Sequence, residues 1–125
     1  MNMKNELMSL SAKLLELHKE LLTYQSKLAE KEDSRNYNPY DLWNLSTQDP
    51  RFSWLRSLSK LIIEIDIAVS EKDKNKLVEP EFLFKAVKAL FNAQDSEFAL
   101  KYQAALLAQP YLTSYDVEIR RMLKS

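Results

Sequence analysis

The chain has 125 residues, with no glycine, no cysteine and a single histidine, and its eighteen Lys and Arg balance eighteen Asp and Glu. Without glycine it lacks the means to build a phosphate-cradling loop, a nucleophile elbow or a calcium-binding loop; without cysteine it has no thiolate nucleophile, Cys-based zinc site or disulfide. Zero net charge argues against broad capture of nucleic acid or anionic membrane, since both draw on excess positive charge.

The first predicted helix runs from about Lys4 to about Lys31. Leu7, Leu10, Leu14, Leu17, Leu21, Tyr24 and Leu28 recur at alternating spacings of three and four, an a/d seam, with Met8, Leu15 and Leu22 widening it. Lys13, Glu16, Glu20, Thr23, Lys27 and Glu30 fall on the opposite face. Such a helix is roughly 40 Å long and requires a partner of similar length.

Glu32 to Gln48 reads as a linker with its own apolar content. Asn38-Pro39 is a cap and first helical position, and predicts a short helix to about Leu45 carrying Tyr40, Leu42, Trp43 and Leu45 across one end of a bundle. Asp49-Pro50 is a second such start. It predicts a long helix from Pro50 to about Lys72, with Leu55, Leu58, Ile62, Ile65 and Val69 inward. Glu71 to Lys76 is a charged turn. Pro80 opens a helix to about Ala93, Asp95 or Ser96 caps another to about Gln109, and Pro110 ends it. Thr113 or Ser114 starts a last helix carrying Val117, Ile119, Met122 and Leu123. With no glycine, helix ends are expected to use Asn, Asp, Lys or proline stops. The whole, residues 1–125, reads as one all-α bundle domain built on an antiparallel pair of long helices plus two or three shorter ones.

Four polar residues fall within the core-facing arcs of the two long helices. His18 lies about 40° from Leu14 on a helical wheel, and Gln25 follows on the same line. Asp66 lies about 20° from Leu55, with Ser59 beside it. A buried carboxylate needs a partner, which predicts a buried polar cluster of His18, Gln25, Ser59 and Asp66. Its ordinary role is to fix helix register; the sharper alternative is a ligand-binding or proton-handling pair.

No catalytic residues are assigned. Glu16 and Glu20 face outward among lysines, unlike carboxylates held in a shaped cleft. Glu16 precedes His18 by two residues, not the three of di-iron bundles, so neither a metal nor a cofactor is expected. Arg51, Arg56 and Lys60 lie near Phe52 and Trp54 and form one basic group; Arg120, Arg121 and Lys124 form another, which complements the dipole of the last helix. Tyr37, Tyr40, Trp43, Phe52 and Trp54 gather around the linker. They read either as a satellite core or, for Tyr40, Trp43, Phe52, Trp54 and Arg56, as a binding patch, since Trp and Tyr are common anchors.

The run Asp49-Pro50-x-Phe52-x-Trp54-Leu55-Arg56-x-Leu58-Ser59-x-Leu61-Ile62-x-x-Ile65-Asp66, preceded by Leu17-His18-Lys19-x-Leu21-Leu22, resembles a family of small bacterial all-helical proteins with no established activity. The likeness covers roughly the first 70 residues. This chain departs from the family pattern at three places: it lacks a Gly-Pro turn in the linker, has Arg51 at an aromatic position, and has Ser57 at a proline position. The resemblance implies a bacterial, cytoplasmic helical protein and no catalytic assignment.

The N-terminus lacks a positive region followed by an apolar block, so no signal peptide is expected, and no stretch is apolar and long enough to span a membrane. The functional expectation is a non-enzymatic binding or protein-interaction module, homo-oligomeric or with a protein partner. The alternative is a small-molecule-binding bundle or minor enzyme with a pocket near His18, Arg56 and Asp66.

Overall fold

The first helix, α1, spans Met3–Asp33, and its apolar seam explains both its length and its position. Leu7, Leu10, Leu14, Leu17 and Leu21 are buried. In the third heptad the inward positions pass to Gln25 and Ala29, while Tyr24 is half-buried and Leu28 is exposed. A strict seven-residue repeat drifts by about 20° per heptad against the 3.6-residue period of a straight helix, so the seam walks off the contact line.

The computed structural model describes residues 3–70 and 79–124. Among them are six α-helices and no strand. After α1 come α2 (Pro39–Gln48), a 3₁₀ turn (Pro50–Leu55), α3 (Arg56–Ser70), α4 (Pro80–Asn92), α5 (Glu97–Ala108), a second 3₁₀ turn (Pro110–Leu112) and α6 (Thr113–Leu123). α1 packs against α2, α3, α4, α6 and the first 3₁₀ turn, and α5 packs against α4 and both 3₁₀ turns. The charged turn expected at Glu71 to Lys76 lies outside the described residues.

Helix starts follow local chemistry. The Asn38 side chain accepts the Asp41 backbone N–H at 2.8 Å, and Ser96 accepts that of Ala99 at 3.0 Å, each satisfying a donor that the first helical turn leaves orphaned. Pro39, Pro50, Pro80 and Pro110 each open a helical segment, where a missing N–H costs nothing. α2 continues to Gln48, three residues past the expected end at Leu45.

The end of α1 departs from expectation. Ser34 takes the left-handed conformation at φ 54°, its N–H bonds the Lys31 carbonyl, and the Arg35 N–H bonds that of Glu30. This is the Schellman pattern, in which glycine is usual; here a serine with a Cβ fills it. The final helix departs too. Arg120 does not serve its own helix end alone: Nη2 donates to the Phe91 carbonyl at 2.9 Å, completing the C-terminus of α4, while Nε bonds the Asp116 carboxylate.

The expected long helix from Pro50 is divided. Its first six residues form the 3₁₀ turn, and the α-helix that follows has only 15 residues. In a 3₁₀ turn residues i and i+3 eclipse, which carries Phe52 and Leu55 inward together. Trp54 is buried as well, so three large side chains of one short segment enter the core. An aromatic chain continues from them: Trp54 lies 6.0 Å from Phe98, which stacks at 5.1 Å on Tyr102, and Phe91 meets both edge-on. The Tyr102 hydroxyl donates to Asp116 at 2.8 Å, and burial together with that carboxylate pushes its pKa strongly upward.

Candidate functional site

The polar residues singled out from the two helices separate three ways. Gln25 is 6% exposed and its Oε1 accepts the Trp54 indole N–H at 2.9 Å. His18 and Ser59 line a cavity of about 300 Å³ at the junction of α1, α2, the 3₁₀ turn and α3. Asp66 is exposed. A buried cluster that includes Asp66 is therefore not formed. Leu58 and Ile65 mark the inward line of α3, and Asp66 follows Ile65 by one residue, about 100° around the helix. The wheel placed Asp66 inward by its separation of about 20° from Leu55 and about 40° from Ile62; Leu55 belongs to the 3₁₀ turn, so its phase does not carry over, and Ile62 is itself only half-buried, at the edge of the inward line.

The His18 cavity has a mixed lining. Leu22, Phe52 and Leu55 supply apolar wall; Ser46, Thr47, Ser59 and Arg56 supply polar groups. Arg56 Nη2 donates to the Thr47 carbonyl at 2.9 Å, which satisfies an orphan acceptor in the last turn of α2. The Ser59 hydroxyl donates back to the Leu55 carbonyl at 3.0 Å. His18 is half-buried and has no hydrogen-bond partner among the described residues; burial lowers its pKa, so the imidazole is neutral at pH 7.

The expected binding patch also divides. Phe52 is 1% and Trp54 2% exposed, so both belong to the core and neither forms a surface patch. Tyr40 and Trp43, by contrast, are 72% and 63% exposed. The difference follows from the backbone: α2 has no buried residue, whereas the 3₁₀ turn has three. Trp43 borders a groove of about 450 Å³ between α1 and α2, with Leu22, Pro39 and Leu42 as its apolar walls and Lys27 and Glu30 at its edge. The groove shares Leu22 and Ser46 with the His18 cavity, so the two are contiguous.

In the basic group around the 3₁₀ turn, Arg51 and Arg56 are already engaged. Arg51 Nε and Nη2 bond the Asp49 carboxylate at 3.0 and 2.9 Å, and its Nη groups reach Asp33 at 3.2 and 3.0 Å. Arg51 holds the carboxyls of both Asp33 and Asp49 below the ordinary range, with a Tyr37 hydrogen bond also acting on Asp33. This pin between the end of α1 and the 3₁₀ turn was absent from the reading of the sequence, as was the Gln25–Trp54 bond. Its only sequence signal was the arginine two residues after a capping aspartate.

No group of three or more His, Cys, Asp or Glu able to hold a metal ion occurs among the described residues, and no described helix is long and apolar enough to cross a membrane. No protein-family model, curated protein or solved structure matches the chain.

Proposed function

We propose that this chain is a non-enzymatic protein-interaction module that docks its partner on α2 and the adjoining groove along α1. The observation that carries this reading is Trp43. A tryptophan 63% exposed, on a helix with no buried residue and beside a groove with apolar walls, is an anchor left open at the surface. Tyr40, 72% exposed and three residues earlier on the same helix, extends that surface.

Support for the bundle architecture comes from the order of pairings between α1 and the segment beginning at Pro50. Asp33 meets Arg51, Gln25 meets Trp54, and His18 shares a cavity with Ser59. One partner falls in number as the other rises, as in an antiparallel pair. The setting proposed is a bacterial cytoplasm, in keeping with the family resemblance and the absence of cysteine.

The test is photocrosslinking in cells with p-benzoylphenylalanine at position 40, in the native and Trp43→Ala backgrounds. A discrete adduct, either a second copy of the chain or one other protein, that is lost with Trp43→Ala supports the module. An adduct pattern that Trp43→Ala leaves unchanged, or no adduct, overturns it.

A second reading is favoured by the His18 cavity, where a neutral imidazole, the Arg56 guanidinium and two serine hydroxyls converge on about 300 Å³. In that reading the site holds a small molecule. Native mass spectrometry before and after mild denaturation separates the two: a bound mass released on unfolding favours the ligand, and an oligomer without added mass favours the interaction module.

A further inference from the structure

α2 is held at both ends and hollow beneath its middle. Before it, the Tyr37 backbone N–H donates to Glu30 at 2.8 Å and the Tyr37 hydroxyl donates to Asp33, both on α1. After it, Asp49 is bonded to Arg51 at 2.9 Å. Between these anchors α2 buries no residue and spans two contiguous cavities, the groove of about 450 Å³ along α1 and the His18 cavity of about 300 Å³. Its last turn is latched to α3 by the hydrogen bond from Arg56 Nη2 to the Thr47 carbonyl. Elements with few buried apolar contacts open at lower free energy than the core they lie on. Of the elements around His18, α1, α3 and the 3₁₀ turn each bury large side chains; α2 is the one that can move without emptying the core.

His18 sits under that helix. Ser46 and Thr47 line its cavity from α2, Phe52 and Leu55 from the 3₁₀ turn, Arg56 and Ser59 from α3, and Leu22 from its own helix. No acid is among them, and the one charged group, the Arg56 guanidinium, repels an imidazolium rather than pairing with it. Burial also lowers the His18 pKa. The closed cavity therefore disfavours the protonated ring on two counts, and moving α2 away admits the water that would solvate it.

We propose that α2 is an acid-operated strap: protonation of His18 lifts α2 from the flank of α1 and breaks the Arg56–Thr47 latch, while the anchors at Tyr37 and Asp49 keep it tethered. The sign follows from linkage. His18 binds its proton more tightly in the open state than in the closed one, so the open fraction rises as pH falls through about 6.5, the ordinary value regained on opening, by at most about tenfold per pH unit, and levels off below the lowered closed value. The strap is a property of the fold whether or not α2 binds a partner. Its consequence, that mild acid displaces the surface bearing Tyr40 and Trp43, rests on the interaction reading above.

The full chain has no cysteine, so a pair of introduced ones takes nitroxide labels specifically. One pair, Ser9→Cys on α1 and Asn44→Cys on α2, reads the strap; a control pair, Ser9→Cys and Gln103→Cys on α5, reads the bundle. Electron–electron distances are measured with no partner present at about pH 7.5 and about pH 5.5, on either side of the imidazole transition. The strap pair should show one distance at the higher pH and a second, longer population at the lower, while the control pair stays unchanged. His18→Gln and His18→Phe, neither of which takes up a proton in this range, should hold the single shorter distance at both pH values. Three outcomes overturn the proposal: no longer population at the lower pH, the same population in both His18 variants, or a control pair that lengthens in step with the strap pair. Because no partner is present, a failed strap leaves the interaction reading standing, and a missing crosslinked adduct leaves the strap standing.

Discussion

The indole Nε1 of Trp54 donates to Oε1 of Gln25 at 2.9 Å, inside the core and across 29 residues of sequence. This one bond ties the middle of α1 to the 3₁₀ turn. Both groups are polar atoms on otherwise core-facing side chains, and each removes the other's desolvation penalty. It also settles the orientation of Trp54, from which the aromatic chain to Phe98, Tyr102 and Phe91 continues.

Removing one member of that pair strands the other. Gln25→Leu should destabilise the protein by about 1–3 kcal/mol, because the indole N–H is left buried without an acceptor. Trp54→Phe should then cost less in the Gln25→Leu background than in the native one. Urea unfolding of the four proteins in this double-mutant cycle checks both; equal costs of Trp54→Phe in the two backgrounds would mean that the bond contributes nothing.

Ser34 should be improvable. A residue with a Cβ at φ 54° loses about 1–2 kcal/mol to the contact with the following carbonyl oxygen, and glycine relieves it, less the backbone entropy glycine adds to the unfolded chain. Ser34→Gly should raise stability by about 1 kcal/mol and Tm by roughly 4 °C. A lowered Tm would show that the serine makes a compensating interaction.

His18 predicts a pH dependence. Its folded pKa lies below the ordinary value near 6.5, so protonation favours the unfolded chain. Stability from the neutral imidazole is therefore complete above about pH 6.5 and is lost as pH falls from there through the lower folded value. With no other histidine present, His18→Gln should flatten the stability curve between roughly pH 7 and 5. Chemical denaturation at a series of pH values reads this out, and an unchanged slope in the variant would refute it.

The two halves of the aromatic patch should respond oppositely. Phe52→Ala empties a core position and should cost about 3–5 kcal/mol. Trp43→Ala removes an exposed ring and should change stability by no more than about 0.5 kcal/mol, while abolishing the crosslinked adduct of the interaction module. A large stability loss for Trp43→Ala would place that ring in the fold's support rather than on a free surface.

Much of the helical framework was legible in the sequence because it rests on short-range physics. The seam of Leu7, Leu10, Leu14, Leu17 and Leu21 needs only the 3.6-residue period, and the caps at Asn38 and Ser96 need only a side chain within reach of an N–H three residues on. The prolines at 39, 50 and 80 mark starts because their geometry suits no other helical position as well.

What only the tertiary structure decided were matters of phase and of distant pairing. Phe52, Trp54 and Leu55 entered the core together through a 3₁₀ turn, which decided between the two readings of the aromatic group, core for Phe52 and Trp54 and open surface for Tyr40 and Trp43, while Asp66 fell outside the buried line of α3. A wheel extrapolated through a change of helix type accumulates error with every residue. Gln25 found Trp54, Arg51 found Asp33, and Arg120 found the Phe91 carbonyl in the last turn of α4, each across 18 residues or more. Local sequence specifies that such groups need partners, because unpaired polar atoms are costly to bury, but the choice of partner depends on how the helices pack.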